Sequence, residues 1–308
     1  MVGGLVLLVI GGEGLVRGAL RLSERLGLSR SLIGIVVIGF GTSMPELVVS
    51  IEAAMDGLAG IAVGNVVGSN IANILLVLGL AGLVRPQVVC ERVLYRDGLF
   101  LMVITAGMAA LLLLADTIGR IASGTMLAVF GAFLVYSYRI DEQLQPPEDA
   151  DAKPTSRPRR PILIPILMAV AGVIGLAWGA QLFVGSAAAI ATTWGVSTTV
   201  IGLSIVAVGT SLPELVASLV AARKGETELA VGNIIGSNLF NLLLILGAGA
   251  MVSPLSLAAL NVTFDVWAML IATVLLLIGL ATGLKVDRRE AGIFVALYIA
   301  YGAHLAMA

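Results

Sequence analysis

The chain is poor in the residue types from which soluble active sites are usually assembled. It has one cysteine and one histidine, and charged residues fill only 12% of its 308 positions. Cys90, in the loop after the third expected span, cannot form an intramolecular disulfide and carries no statement about redox compartment. His304, near the C-terminus, has no histidine or cysteine neighbours with which to hold zinc or to activate a nucleophile. H-E-x-x-H, G-x-S-x-G and aspartate-dyad motifs are all missing, so intramembrane hydrolysis has no support and the chain reads as a non-enzyme. The formal charge of −1 argues neither for nor against a charged partner. Nothing points to a cofactor, a nucleic acid or an obligatory protein partner.

What is abundant is apolar. Hydrophobic residues make up 59% of the chain and the mean hydropathy is +1.06, far more apolar surface than a soluble core of this size hides. A bilayer is crossed by about 20 apolar residues at 1.5 Å per residue. Such runs lie at 2–22, 33–56, 60–83, 96–115, 119–138, 162–188, 200–222, 228–251, 264–283 and 288–307. The expected fold is therefore an all-α integral membrane protein of ten transmembrane helices, with the lipid bilayer as its partner. The first run lacks a basic leading region and a small-residue cleavage site, so it is expected to be a retained helix.

The charges fix an orientation. With the N-terminus outside, seventeen of the eighteen Lys and Arg residues fall in cytosolic loops or helix ends, and only Arg120 is left outside. That positive-inside bias predicts a multi-pass protein of the cell membrane. The longest polar stretch, DEQLQPPEDADAKPTSRPRRP at 141–161, reads as a flexible cytosolic linker between residues 1–140 and 162–308.

The two sides of the linker are copies of one unit. A shift of 168 residues aligns 33–79 with 201–247 without a gap, and 25 of the 47 positions are identical. Gly11 also falls on Gly179. Five helices per copy is an odd number, so the second copy enters the membrane from the opposite side. Two inverted-topology five-helix repeats are the plan of many secondary transporters, whose site lies near the midplane where the halves meet.

Two motifs occur in both copies. GTSMPELVVS begins at Gly41 and GTSLPELVAS at Gly209. In hydrocarbon a backbone group left unpaired is costly, and a proline that cannot donate frees a carbonyl one turn earlier. Pro45 and Pro213 would loosen carbonyls around Gly41, Thr42, Gly209 and Thr210, beside Glu46 and Glu214. An ionisable residue inside a membrane is costly, so two placed symmetrically beside prolines point to function rather than packing. The second pair is GNVVGSNIAN at 64–73 and GNIIGSNLFN at 232–241, whose Ser69, Asn73, Ser237 and Asn241 add neutral oxygens at i, i+4 spacing. Calcium takes six to eight hard oxygen ligands at about 2.3–2.6 Å, and sodium accepts the same donors with fewer charges. Asn65, Asn70, Asn233 and Asn238 fit either direct ligation or the repair of broken backbone.

These blocks resemble the repeats of the sodium/calcium exchanger family, prokaryotic type, within the cation/calcium antiporter superfamily. The resemblance covers nearly the whole chain. It implies that helices two, three, seven and eight hold Ca²⁺ and Na⁺ while helices one and six slide across them. It further implies a calcium site made of the carboxylates of Glu46 and Glu214 and the carbonyls of Thr42 and Thr210. Flanking sodium sites would use Ser43, Ser69 and the Gly39 carbonyl on one side, and Ser211, Ser237 and the Ala207 carbonyl on the other, with Asn73 and Asn241 facing the centre. Several family members carry Asp where this chain has Asn241, which opens the questions of stoichiometry and potassium dependence. The implied activity is electrogenic Na⁺/Ca²⁺ antiport by alternating access, exporting Ca²⁺. The alternative is Ca²⁺/H⁺ antiport, disfavoured because proton-coupled relatives usually place an acid and a histidine where this chain has G-S-N.

Overall fold

A computed structural model describes residues 1–143, 161–193, 207–258 and 260–307. Helix α1 (Val2–Leu26) ends where Gly27 turns left-handed at φ 67°, a conformation that glycine adopts without strain. Ser29 then caps the next helix, its hydroxyl accepting from the Leu32 N–H. The rest of the first half is α2 (Arg30–Thr42), α3 (Met44–Met55), α4 (Ala59–Val84), α5 (Val93–Leu114) and α6 (Arg120–Gln143). The second half holds α7 (Leu163–Thr193), α8 (Ala207–Thr210), α9 (Leu212–Lys224), α10 (Thr227–Val252), α11 (Thr263–Ala281) and α12 (Arg288–Met307).

Eight of these helices are long and apolar enough to cross a membrane, and α2 with α3, bent by 51° at their junction, makes a ninth. The expected ten are thus not all counted among the described residues. The difference falls on the expected span 200–222, of which α8 and α9 are described and the residues before Ala207 lie outside the description. The expected linker also begins too early: α6 continues to Gln143 and buries Asp141 to 3% exposure. The remainder of that stretch, 144–160, lies outside the described residues.

Helices α4 and α10 form the centre, with 78% and 94% of their apolar windows buried, whereas α12 has 11% buried and faces outward. Exposed apolar side chains such as Leu114, Ile121 and Met307 suit a lipid surround. Glycines set the closest approaches. A methyl group on Gly34 would stand 2.6 Å from the Leu229 carbonyl, and one on Gly236 would stand 2.6 Å from the Ile35 Cα, so α2 lies directly on the backbone of α10. Helices α1 and α7 pack antiparallel in the same way, Gly4 against Gly179 and Gly11 against Gly172.

Among the described residues, four two-residue strands lie in the loops. β1 (Gln87–Val88) pairs antiparallel with β4 (Lys285–Val286), and β2 (Thr117–Ile118) with β3 (Leu255–Ser256). Each pair joins one half of the chain to the other. The 168-residue shift carries β1 onto β3 and β2 onto β4, so the two pairs are images of each other.

Candidate ion-binding site

Both copies of the G-T-S-x-P-E motif sit at a helix break. Ser43, between α2 and α3, has φ −86° and ψ 8°; Ser211, between α8 and α9, has φ −84° and ψ 5°. These are bridge values rather than helical ones. The prolines fall in the first turn of the helix that follows, where a missing N–H is tolerated. Each also has no N–H to offer the carbonyl four residues earlier, that of Gly41 or Gly209. Glu46 and Glu214 lie in the same first turns, where unpaired N–H groups and the helix dipole favour an anion. Both side chains are 1% exposed.

Two asparagines of the second motif support the breaks from behind. Asn65 donates to the Glu46 carbonyl at 3.2 Å and to Ser50 Oγ at 2.8 Å. Asn233 donates to the Glu214 carbonyl at 3.4 Å and to Ser218 Oγ at 2.9 Å. Their amides therefore hold backbone, the second of the two roles open to them. Ser50 and Ser218 had no sequence signal beyond their place in the repeat.

The halves meet through these residues. Ser43 Oγ donates to Glu214 Oε1 at 2.9 Å, and Thr42 Oγ1 stands 3.3 Å from Asn233 Oδ1. Ser237 Oγ lies 3.5 Å from the Gly39 carbonyl. Deeper in α4 and α10, Asn73 Nδ2 reaches Asn238 Oδ1 at 3.2 Å and Asn241 Nδ2 reaches Asn70 Oδ1 at 3.0 Å. The helix widens into π-type turns there, Ala72–Leu78 and Phe240–Ile245, at positions matched by the repeat. Ser69 is buried on α4, Thr210 is half-buried at the end of α8, and Ala207 opens α8.

The polar atoms left over are nearly all oxygens. Glu46 Oε1 and Oε2, Glu214 Oε2, Asn73 Oδ1, Asn241 Oδ1 and Ser211 Oγ are buried without a hydrogen-bond partner among the described residues. An unpaired buried acceptor costs roughly 1–3 kcal/mol, and more when charged. A cation placed against such an oxygen would offset its penalty. Among the described residues no group of three or more His, Cys, Asp or Glu is gathered, so the charge at this centre rests on the two glutamates. Hard oxygen donors of this kind suit alkali and alkaline-earth ions.

The sodium/calcium exchanger protein family matches residues 1–139 and 164–307. The chain belongs to that family. CaxA of Alkalimonas amylolytica is 38% identical over 305 residues, spanning 97% of this chain and 95% of that one. The sodium/calcium exchanger MaX1 of Methanosarcina acetivorans is 32% identical over 337 residues, again spanning 97% and 95%. Among solved structures, the sodium-calcium exchanger NCX_Mj superposes with a TM-score of 0.84 at 31% identity, over 99% of this chain and 97% of its own. This family member is thus a multi-pass membrane transport protein of the exchanger type.

Proposed function

We propose that the protein exchanges Na⁺ for Ca²⁺ by alternating access through a single site at the junction of its two halves. The observation that carries this reading is the pair of fully buried glutamates from opposite halves, three of whose four carboxylate oxygens lack a hydrogen-bond partner among the described residues. One Ca²⁺ neutralises two carboxylates, whereas several Na⁺ spread over the same oxygens; the two loads compete because they share Glu46 and Glu214. The empty site carries a buried charge that is costly to move through a low-dielectric barrier, which makes exchange obligatory. Unequal charge on the two loads makes it electrogenic, and an inward sodium gradient drives calcium out.

In this reading Glu46 and Glu214 hold Ca²⁺ with the carbonyls of Thr42 and Thr210. Ser43, Ser69 and Gly39, with Ser211, Ser237 and Ala207, supply the flanking sodium sites, and Asn73 and Asn241 face the centre. The halves, with the first running through Gln143, are inverted repeats of five spans each. Strand pairing supports that parity: β1 must share a membrane face with β4, and β2 with β3, and one helix separates the strands within each half. Between β2 and β3 the chain must then cross an even number of times. Helices α6, α7 and α10 supply three crossings, so α8 with α9 completes the fourth. Parity alone leaves the sidedness open, and the positive-inside bias of the Lys and Arg residues supports an outside N-terminus and a cytosolic linker in a cell-membrane protein.

The test is initial ⁴⁵Ca²⁺ uptake into proteoliposomes with an outward Na⁺, K⁺ or H⁺ gradient imposed one at a time. The expected result is uptake driven by the outward Na⁺ gradient that increases as the interior is made positive, because net positive charge leaves with Na⁺. Uptake driven by the H⁺ gradient alone transfers the chain to proton coupling.

A further inference from the structure

Asn70 and Asn238 lie on α4 and α10 at matched positions of the repeat, are 2% and 1% exposed, and are outside the calcium and sodium ligand sets proposed above. Each accepts a hydrogen bond from the amide of a candidate ligand in the other half: Asn70 Oδ1 from Asn241 and Asn238 Oδ1 from Asn73. A carboxamide has one end that donates and one that accepts. Fixing the NH₂ of Asn241 on Asn70 leaves its Oδ1 as the free end, and Asn241 Oδ1 is among the buried oxygens without a partner; so is Asn73 Oδ1. Flipped, each would offer a cation two N–H donors instead of an oxygen.

One of the two links has a third member. Asn70 Nδ2 points at the sulfur of Met269 on α11, at 3.7 Å, which commits the Asn70 amide to that side and leaves its oxygen for Asn241. The position that matches Met269 in the first half is Leu101, which has no acceptor. Asn238 Nδ2 is correspondingly buried without a hydrogen-bond partner among the described residues.

We propose that Asn70 and Asn238 are positioning residues that turn the carboxamide oxygens of Asn241 and Asn73 toward the transported ion across the repeat interface, and that Met269 fixes the polarity of the Asn70 link alone. The proposal rests on the reading of Asn73 and Asn241 as ion ligands. It makes the ligand of each half depend on the other half, and it makes the two links unequal: a sulfur locks the one at Asn241, while no described residue locks the one at Asn73.

The experiment is a set of double-mutant cycles on the full chain in proteoliposomes, reading the KM for Ca²⁺ and the maximal Na⁺-driven flux. Asn70→Ala is expected to raise the KM about tenfold in the parent and less than twofold when Asn241→Ala is already present, because its action passes through that side chain. Asn238→Ala should behave in the same way with Asn73→Ala. Met269→Leu keeps the volume and removes only the sulfur; it is expected to raise the KM two- to threefold in the parent and to leave it unchanged in the Asn241→Ala background. The same KM rise in both backgrounds, or a fall in maximal flux at unchanged KM, overturns the positioning role. If Asn70→Ala does not fold, the Met269→Leu cycle decides alone, since equal KM for Met269→Leu and the parent removes the polarity lock. A failure of the underlying reading is distinct: Asn241→Ala and Asn73→Ala would then leave the Ca²⁺ KM where it was.

Discussion

Glu46 and Glu214 are matched by the repeat but are held differently. Glu214 receives a hydroxyl hydrogen bond from Ser43 of the other half, while neither carboxylate oxygen of Glu46 has a side-chain partner among the described residues. With no third acid gathered at the site among the described residues, either neutral replacement halves its charge. Glu46→Gln and Glu214→Gln are each expected to lower Na⁺-driven ⁴⁵Ca²⁺ flux by roughly a hundredfold or more, a loss of about 2.7 kcal/mol of stabilisation, with the protein still folded in detergent. Near-parent flux in either variant at matched protein level removes that glutamate from the site. The glutamates were legible in the sequence because an acid inside an apolar run is costly wherever it points. The role of Asn65 and Asn233 was not, because an amide that repairs a carbonyl and one that binds an ion look alike until the atom opposite is known.

At the scale of the element, the glycines of α1 and α7 decide how close two long helices come. A methyl on Gly172 would lie 2.7 Å from the Gly11 carbonyl, so Gly172→Val must push the helices apart. Overpacking of this kind costs about 1–3 kcal/mol, and a lowered thermal midpoint in detergent is expected; an unchanged midpoint would show that the seam is loose. The start of α12 carries a reciprocal cap. Asp287 accepts from the N–H groups of Glu290 at 3.0 Å and Arg289 at 2.8 Å, and Glu290 Oε2 accepts in return from the Asp287 N–H at 2.8 Å. The N–H groups of Glu290 and Arg289 hold the Asp287 carboxyl below its ordinary range. A group depressed in the folded state adds stability above its unfolded value and loses it as the pH falls through the folded one. The midpoint of Asp287→Ala should therefore trail the parent most at neutral pH and draw level in acid; a gap independent of pH would discard the cap. The spacing D-x-x-E before an apolar run was present in the sequence at 287–290.

At the scale of the whole molecule, a buried ionic cluster ties together three separate parts of the first half. Asp141, near the end of α6, accepts from Arg92 at 2.8 Å and Arg96 at 2.9 Å at the start of α5, and from the N–H of Ser29 at 2.9 Å in the turn between α1 and α2; the Ser29 hydroxyl also donates to it. Arg96 in turn holds Asp97 at 2.6 Å. Removing one member of a buried ion pair typically costs about 3–5 kcal/mol, because the partner charge is left uncompensated. Asp141→Ala is thus expected to lower the thermal midpoint more than Arg17→Ala, which removes an exposed guanidinium paired with Glu13. Equal shifts for the two would mean that water reaches the cluster.

The sequence by itself determined the solvent, the repeat, the two motifs and the family, since apolar runs, self-similarity and a glutamate beside a proline can each be read along a short stretch of chain. Only the tertiary structure decided which atoms meet. Asp141 lies 112 residues from Ser29, Ser43 lies 171 residues from Glu214, and β1 lies nearly 200 residues from β4. Hydrophobic burial is non-directional and follows composition, so it is written locally. A hydrogen bond or an ion pair acts only within about 3 Å and along a direction, so its partners are fixed when the two halves close on each other, and α6 could be recognised as continuing through Asp141 only once Ser29 and the two arginines stood around that carboxylate.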